Sequence, residues 1–434
     1  MMMISTLLIR LNAQVQGVAM VLLQMRSSFL FANMVAMAPI RKWFYIKGDN
    51  INREIFVAGF SREEYDSPRR KKVMKSKSLI FALALLATLA SCGNSAPVST
   101  PEISFPASSS PVEEDPLPSW EDRAVTRSLK NFVVSATSPN STSYIPVSNR
   151  VAVFDMDGTL YGELFPTYLE YLMFIHRAKY DETYHADGET LALADELESL
   201  ADSHSYPSGT DMRHALAAAK AYAGMTLKEF NDYCVSFFKN TPDGFENMTY
   251  GTAFYQPMAE VVDYLHANDF QVYVVSGSDR FICRALCCDY LHIPENHIIG
   301  MDVRLAATDQ GDTEGVNYTL KDTDKIVRTE DLLIKNLKFN KVAQIIKEIG
   351  IQPVLSFGNS GGDTAMHVYT KTNNPYPAEA FMLVADDDVR DYGVPEKAAK
   401  LAADWQEKGF QVVSMKNEFK TIYSPEVRRT SRTK

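Results

Sequence analysis

The sequence is short of basic residues, of cysteine and of long apolar runs. It holds 44 Lys and Arg against 54 Asp and Glu, and the resulting net charge of -10 argues against nucleic-acid binding. Only 5 cysteines occur, and no histidine or second cysteine pair stands at ligand spacing, which disfavours a zinc framework. The apolar run from Leu79 to Leu89 is too short to span a bilayer comfortably. A length of 434 residues suggests two or three domains.

The segment around this apolar run is typical of targeting sequence rather than of a folded domain. A basic block from Arg69 to Lys77 precedes the run, and L-A-S-C-G follows it, so residues 74–92 are predicted to be a secretory signal peptide. L-A-S-C-G resembles the lipobox of bacterial lipoproteins, which implies lipidation of Cys92. We therefore expect an exported cell-envelope lipoprotein, periplasmic or anchored in the outer membrane, that meets the membrane only through this lipid. An internal apolar helix that ends in Ser-Cys is the alternative.

The segments on either side of the signal peptide carry little folding information. Residues 1–73 are interpreted as a spurious or unstructured extension, because Met74 stands where the signal should begin; if they are translated, an extra anchor is the alternative. Residues 93–118 are rich in Ser and Pro, and they predict a tether. Helical spacing starts at Trp120, with Ser119 as the expected N-cap.

The most informative stretch is V-A-V-F-D-M-D-G-T-L, residues 151–160. Its apolar start predicts a buried parallel strand, and Asp155 and Asp157 follow directly. In open α/β sheets ligands bind beyond the carboxyl ends of the strands, so this pair is expected to do chemistry. Two carboxylates on one side of the chain raise each other's pKa, and a cation should therefore lie between them. Mg²⁺ suits the position because it prefers oxygen ligands.

D-M-D-G-T-L resembles the first motif of the haloacid dehalogenase (HAD) superfamily, most of whose members are Mg²⁺-dependent phosphatases. The resemblance implies an α/β fold with a Rossmann-like, doubly wound parallel sheet and a helical C1-type cap inserted after the first catalytic strand. Helical patterns beyond Leu160 agree with such a cap; they cover Phe165–Arg177, Glu189–Ala201, Asp211–Ala223 and Thr226–Lys239. We predict a core domain over residues 119–160 and 257–423, a cap over 161–256 and a tail over 424–434.

Aromatic residues crowd the start of the predicted cap, at Tyr161, Phe165, Tyr168, Tyr171 and Phe174. Their spacing is that of a helix face, which favours a place in the core. The alternative is that some of them form a cage for a quaternary ammonium group through cation-π attraction.

A second strand, Phe270–Val275, ends in S-G-S. Hydroxyl and backbone N–H groups where a strand passes into a helix suit phosphoryl oxygens, although S-G-S could be an ordinary turn. The segment resembles the second HAD motif, which implies Ser276 as the positioned hydroxyl and Gly277, Gly158 and Thr159 as further phosphate-binding residues.

The remaining cysteines lie in predicted helices, and we expect them to be buried as small hydrophobic side chains, with a disulfide left open. They are Cys234, Cys283, Cys287 and Cys288.

The segment from Met301 to Asp331 predicts a hairpin beside the site, with V-R-L and V-N-Y-T-L on either side of a polar turn. The run I-K-N-L-K-F-N-K that follows offers Lys335, Lys338 and Lys341 as the ammonium that neutralises a phosphoryl transition state. Lys341 stands at a helix start, where the third HAD motif has its lysine, and we choose it over Lys338. Solvated surface charges are the alternative for all three.

A third strand, Pro353–Phe357, runs into G-N-S-G-G-D. The segment resembles the fourth HAD motif, in which two acids flank the turn, but Asn359 replaces the first acid here. An amide oxygen still coordinates Mg²⁺ without adding charge, so Asp363 is favoured as the direct ligand and a weaker metal site is expected. G-N-S-G-G-D-T-A-M also resembles the secreted and envelope HAD hydrolases typified by bacterial phosphorylcholine phosphatase.

The resemblance implies phosphomonoester hydrolysis through an aspartyl phosphate. Asp155 would be the nucleophile and Asp157 the general acid and base, while Ser276 and Lys341 would bind the phosphoryl group. Mg²⁺ would be held by Asp155, the main-chain carbonyl of Asp157, Asn359 and Asp363. The expected substrate is a small phosphorylated metabolite such as phosphocholine. A phosphotransferase on the same scaffold and a catalytically weak surface-binding lipoprotein are the alternatives.

Overall fold

The computed structural model describes residues 43–46, 55–58 and 115–432. The first two segments form an antiparallel pair, β1 (Trp43–Ile46) and β2 (Ile55–Ala58). The predicted signal peptide, Cys92 and most of the tether lie outside the described residues. None of the helices in the described parts of the chain has both the length and the apolar character that a bilayer crossing needs.

The described chain from residue 115 onward is built around one sheet. Its strands and the two short strands beside it are β3 (Val151–Phe154), β4 (Phe245–Glu246), β5 (Gln271–Asp279), β6 (Ile298–Ala307), β7 (Ile326–Ile334), β8 (Leu355–Gly358), β9 (Glu379–Val384), β10 (Gln411–Ser414) and β11 (Arg428–Arg429). The sheet has 7 strands in the order β10-β9-β8-β3-β5-β6-β7, and β4 pairs with β11 separately. All neighbours in the sheet are parallel except β6 and β7. The predicted fold class is therefore confirmed.

Strand β3 lies in the middle of this sheet because its residues are apolar on both faces. Ala152 and Phe154 belong to the largest hydrophobic cluster, whereas Val151 and Val153 pack in a second cluster on the other face. All four are fully buried, as expected for a parallel strand covered on both sides. Hydrogen bonds to β5 on one side and β8 on the other bring the carboxyl ends of these three strands together.

The helices are α1 (Ala124–Thr137), α2 (Leu169–Lys179), α3 (Gly188–Leu200), α4 (Thr210–Ala221), α5 (Leu227–Phe237), α6 (Gln256–Ala267), α7 (Arg280–Leu291), α8 (Phe339–Gln344), α9 (Thr364–Lys371), α10 (Pro395–Glu407) and α11 (Met415–Glu418). A π-helical turn, Ile345–Ile349, continues α8. Helices α2 to α5 occupy the stretch where the sequence predicts the cap. Helix α2 begins at Leu169 rather than Phe165, because Pro166 disfavours a helical conformation in the residue before it.

The helical insertion is joined to the edge of the sheet by backbone hydrogen bonds. Between α4 and α5, Gly224 N donates to Arg328 O and Arg328 N donates to Met225 O, each at 2.9 Å. Arg328 lies in β7, so this loop covers the edge strand that would otherwise expose unpaired backbone groups.

Three local predictions are wrong. Helix α1 starts at Ala124 with Arg123 as its N-cap, and Ser119 instead donates its backbone N–H to Glu260. The second hairpin strand is β7 rather than V-N-Y-T-L, since Val316 and Leu320 are exposed and the strand needs the pairing that β6 and the α4–α5 loop give β7. The sequence pattern predicts a terminal helix–strand pair over Trp405–Lys416, but helix α10 starts ten residues earlier, at Pro395.

Candidate active site

A cavity of about 170 Å³ opens where the carboxyl ends of β3, β5 and β8 meet. The predicted residues Asp155, Asp157, Lys341, Asn359 and Asp363 all line it. Parallel strands that run side by side end at the same edge, and this topology brings together residues as far apart in the sequence as Asp155 and Asp363. The small volume suits a ligand well below drug size.

The centre of the cavity is a chain of three buried charges. The Lys341 ammonium donates to Asp155 Oδ1 at 2.6 Å and to Asp363 Oδ1 at 2.7 Å. Burial alone would lower the pKa of Lys341, but Asp155 and Asp363 raise it well above its ordinary value. Burial and the neighbouring Asp363 raise the pKa of Asp155. The site therefore has a fixed ammonium beside a carboxylate.

Asp157 is a second carboxyl group in a different environment. Ser278 donates its hydroxyl to Asp157 Oδ2 at 2.7 Å, while Oδ1 is buried and has no hydrogen-bond partner among the described residues. Burial raises the pKa of Asp157 to about 7, although the hydrogen bond from Ser278 opposes the shift. A carboxyl group with this pKa can give up and take back a proton near neutral pH.

The other two lysines of the predicted set occupy different places. Lys335 is buried and donates to Glu170 Oε1 at 2.7 Å. Lys338 lines the cavity, and its backbone N–H donates to Gly362 O at 3.0 Å. Lys341 is thus the lysine that contacts both Asp155 and Asp363.

The predicted phosphate-binding residues do not all face the cavity. Gly277 and Lys341 line it, whereas Ser276, Gly158 and Thr159 do not. The Ser276 side chain is fully buried, and its Oγ accepts a hydrogen bond from Ser278 N at 3.0 Å. The serine hydroxyl that lies at the cavity in this turn is that of Ser278.

The turn after β8 holds Asp363 firmly. Asp363 Oδ2 accepts from Asn359 N at 3.2 Å, from Ser360 N at 3.0 Å and from Ser360 Oγ at 3.1 Å. Its other oxygen, Oδ1, is taken by Lys341. Both carboxylate oxygens of Asp363 are therefore committed to protein donors.

The side-chain oxygen of Asn359 differs from those of Asp363, because it is buried and has no hydrogen-bond partner within the described chain. Its amide nitrogen donates to Glu163 Oε1 at 3.0 Å. A buried polar atom without a partner is rare in proteins and often marks a site for an ion or a ligand. Asn359 Oδ1 and Asp155 Oδ2, the Asp155 oxygen that Lys341 does not contact, form a hard oxygen set of the kind that Mg²⁺ prefers.

Across the described ranges, no group of three or more His, Cys, Asp and Glu side chains is arranged to hold a metal by itself. The oxygen set at this cavity mixes a carboxylate with an amide and the main chain, so it fits a metal that keeps several water ligands.

Several cavity residues were not predicted from the sequence. Glu163, Glu170 and Asp211 add carboxyl groups, and Ser278 adds a hydroxyl. The serine lies within the S-G-S signal, two positions beyond the residue chosen. Glu163 and Glu170 lie in a segment interpreted by its aromatic pattern, and Asp211 begins a predicted helix of the cap; nothing local indicates which of these side chains turn toward the strand ends.

The aromatic cluster at the start of the insertion is divided between the core and the cavity. Tyr161, Phe165 and Phe174 are fully buried in the largest hydrophobic cluster. Tyr168 and Tyr171 line the cavity, with ring centroids 5.2 Å apart in an edge-to-face arrangement. Two of the five aromatic residues are therefore available to a ligand.

The four cysteines within the described residues are free, and three of them are buried. Cys283 and Cys287 are one turn apart on α7, and burial raises the pKa of both thiols well above its ordinary value. They serve as small core residues, as predicted.

Comparison with known proteins gives one family match and a set of remote structural likenesses. No curated protein matches the chain. A conserved protein of unknown function from Anaerococcus prevotii DSM 20548 is 13% identical, with 68% of this chain and 94% of that chain covered at a TM-score of 0.42. Cytosolic 5'-nucleotidase IIIB bound to cytidine is 10% identical, with coverages of 67% and 84% and a TM-score of 0.41. A substrate-bound phosphoserine phosphatase is 13% identical, with coverages of 54% and 86% and a TM-score of 0.29.

The family match covers the strands and the turns that build the cavity. Residues 152–367 match the haloacid dehalogenase-like hydrolases, a range that begins in β3 and ends in α9. Asp155, Asp157, Lys341 and Asp363 all fall within it. Residues 152–367 of the chain are therefore a haloacid dehalogenase-like hydrolase domain.

Proposed function

We propose that the protein is a Mg²⁺-dependent phosphomonoester hydrolase that works through an aspartyl-phosphate intermediate. The observation that carries the proposal is the buried chain Asp155–Lys341–Asp363, which has the Asp157–Ser278 pair beside it in one cavity. This arrangement supplies a nucleophile, a fixed positive charge and a proton donor within one small volume.

The reaction has two steps in this scheme. An Asp155 carboxylate oxygen attacks phosphorus, the bond to the ester oxygen breaks, and protonated Asp157 gives its proton to the departing alcohol. Ionised Asp157 then takes a proton from water, which attacks the aspartyl phosphate and releases inorganic phosphate and free Asp155. Lys341 offsets the negative charge that builds on the phosphoryl oxygens in both steps.

Mg²⁺ would be held by an Asp155 carboxylate oxygen, the main-chain carbonyl of Asp157 and Asn359 Oδ1. When bound, it would supply further positive charge to the phosphoryl group. Asp363 would also coordinate the metal, because its oxygens keep lone pairs beyond those that accept hydrogen bonds from Lys341 and the turn.

The substrate is proposed to be a small phosphomonoester with a cationic group, such as phosphocholine. A cavity of about 170 Å³ supports a small metabolite. Its lining includes Tyr168, Tyr171 and Asp211, and aromatic faces beside a carboxylate attract a quaternary or primary ammonium. Comparing kcat/KM for phosphocholine, phosphoethanolamine, phosphoserine and sugar phosphates tests this choice.

The site of action is proposed to be the bacterial cell envelope, with the protein held by a lipid at Cys92. The support is the sequence of residues 69–93 alone, because this segment lies outside the described residues. Mass analysis of the native N-terminus tests it, and an unmodified N-terminus upstream of Cys92 would contradict it.

Metal removal is the first test of the proposed activity. With Mg²⁺ the protein is expected to hydrolyse p-nitrophenyl phosphate, and excess EDTA should lower the rate roughly a hundredfold or more because the phosphoryl charge loses its metal partner. Added Mg²⁺ should restore the rate. A binding protein with a disabled site would show no hydrolysis in either condition, and a phosphotransferase would divert phosphate to added alcohols.

Asp157→Asn tests the proton donor. The variant is expected to lose roughly 10² to 10⁴ in the rate of phosphoenzyme formation from an alkyl phosphate. The loss should be smaller with p-nitrophenyl phosphate, since p-nitrophenolate leaves without a proton. Mg²⁺ affinity, measured by calorimetry, should stay near the wild-type value because the main-chain carbonyl is unchanged. Equal losses for both substrates would contradict the assignment.

A further inference from the structure

Glu163 and Asn359 form a side-chain pair that bridges two separate loops of the active site. Asn359 follows β8, and Glu163 lies in the loop after β3, 196 positions earlier. Asn359 Nδ2 donates to Glu163 Oε1 at 3.0 Å, and both residues line the cavity. Their contact is therefore a feature of the folded site rather than of either loop.

Space for this pair is provided by a glycine in the first catalytic loop. Gly158 has a φ of +72°, and a Cβ atom built there would lie 1.8 Å from Asn359 Nδ2 and 2.7 Å from Glu163 Cδ. Any side chain at this position would therefore force the two groups apart. The backbone of the loop that carries Asp155 and Asp157 is thus shaped around the Asn359–Glu163 contact.

An asparagine can present either end of its amide to a neighbour, and the partner of one end decides where the other points. Glu163 Oε1 accepts the hydrogen bond from Asn359 Nδ2, and this contact fixes the amide nitrogen on the Glu163 side. Asn359 Oδ1 is then left buried and without a partner among the residues that the structure describes. In the same turn both oxygens of Asp363 are occupied by Lys341, by the hydroxyl and N–H groups of Ser360 and by the backbone of Asn359.

We infer that Glu163 is a positioning residue that orients Asn359 so that its Oδ1 faces the bound metal. The pair then replaces one aspartate ligand. Asn359 supplies the coordinating oxygen, and Glu163 fixes the orientation of its amide. An aspartate would not need such a partner, because its two carboxylate oxygens are equivalent. Partners that orient a metal ligand in this way typically change metal affinity by about 10- to 100-fold when removed. The inference rests on the Mg²⁺ site of the proposed function.

The test is the Mg²⁺ dissociation constant of the full chain, measured by calorimetry without substrate. Glu163→Met removes the acceptor and is expected to weaken Mg²⁺ binding by about 10- to 100-fold. Glu163→Gln keeps an acceptor oxygen of the same reach but removes the charge, and it should stay within about threefold of wild type because orientation is retained. Asp331→Asn removes a half-exposed carboxylate of β7 that does not line the cavity, and its Mg²⁺ affinity should not change.

Each outcome bears on the inference. Wild-type affinity in Glu163→Met would overturn it, and so would equal weakening by Glu163→Gln, since charge rather than orientation would then explain the effect. Should Glu163→Met not fold, Glu163→Ala carries the same expectation with no added bulk. Absence of Mg²⁺ binding by the wild-type protein would overturn both the proposed function and this inference. If the wild-type protein binds Mg²⁺ but substitution of Glu163 leaves the dissociation constant unchanged, this inference is overturned while the proposed function stands.

Discussion

Asp155→Asn is expected to lower kcat roughly a thousandfold or more, because an amide oxygen cannot form the proposed phosphoenzyme at a useful rate. The substitution keeps the shape of the side chain and leaves an oxygen for the hydrogen bond that Lys341 donates to Asp155 Oδ1 at 2.6 Å. The fold should therefore persist while the chemistry stops. Steady-state hydrolysis of the best phosphomonoester and the urea unfolding curve, measured on one preparation, separate these two effects.

The intermediate provides a second readout for the same variant. Acid quenching of the wild-type protein during turnover should trap a phosphoryl group on the peptide that contains Asp155, and mass analysis should find none on Asp155→Asn. Asp157→Asn is the matched control, because it also neutralises one carboxylate of the pair but leaves the nucleophile in place. With p-nitrophenyl phosphate, whose leaving group needs no proton, it should still form the phosphoenzyme. More than about a tenth of wild-type kcat in Asp155→Asn would contradict covalent catalysis.

The fold could be predicted where local sequence carries the necessary information. The apolar run of β3, which is followed by Asp155 and Asp157, predicts a central buried strand. A similar apolar run precedes Gly277, and another precedes Asn359. Since parallel strands deliver their carboxyl ends to one edge, the meeting of these segments also followed from the sequence. Lys341 was selected by its place at a helix start, and it contacts both Asp155 and Asp363.

The details that were not predicted depend on contacts between distant segments. The choice between Ser276 and Ser278 rests on which hydroxyl turns toward Asp157, and a strand-to-helix turn leaves both options open until the neighbouring loop is in place. The side chain of Asn359 donates to Glu163, which no local pattern connects to the turn after β8. The true second hairpin strand depends on the α4–α5 loop, whose backbone pairs with Arg328.

Arg328 also anchors the helical insertion to the sheet through its side chain. Its guanidinium donates to both oxygens of Asp279, at 2.5 and 3.3 Å, and lies 3.9 Å above the ring centroid of Phe230 in α5. Arg328 is 1% exposed and Asp279 3% exposed. Asp279 is the N-cap of α7 and accepts from Phe281 N at 2.9 Å. One ion pair thus joins β7, the start of α7 and the insertion.

Arg328→Met is therefore expected to lower the free energy of unfolding by about 3–5 kcal/mol, because it leaves the carboxylate of Asp279 buried without its cation. Methionine keeps much of the packing against Phe230, so the loss reports mainly the unpaired charge. Asp279→Asn in the same chain should recover a large part of the stability, since asparagine still accepts from Phe281 N and carries no charge. Urea unfolding of the single and double variants measures both changes.

Arg304→Met is the matched control for this prediction. Arg304 lies in β6 and pairs with Asp331 of β7, but both side chains are about half exposed, at 53% and 49%. Water screens such a pair, and its loss should cost less than about 1 kcal/mol. If Arg328→Met cost no more than Arg304→Met, or if Asp279→Asn failed to recover stability, the buried pair would not be what holds the insertion to the sheet edge. The backbone bonds of Arg328 with Gly224 and Met225 would then have to carry that attachment, because methionine leaves them unchanged.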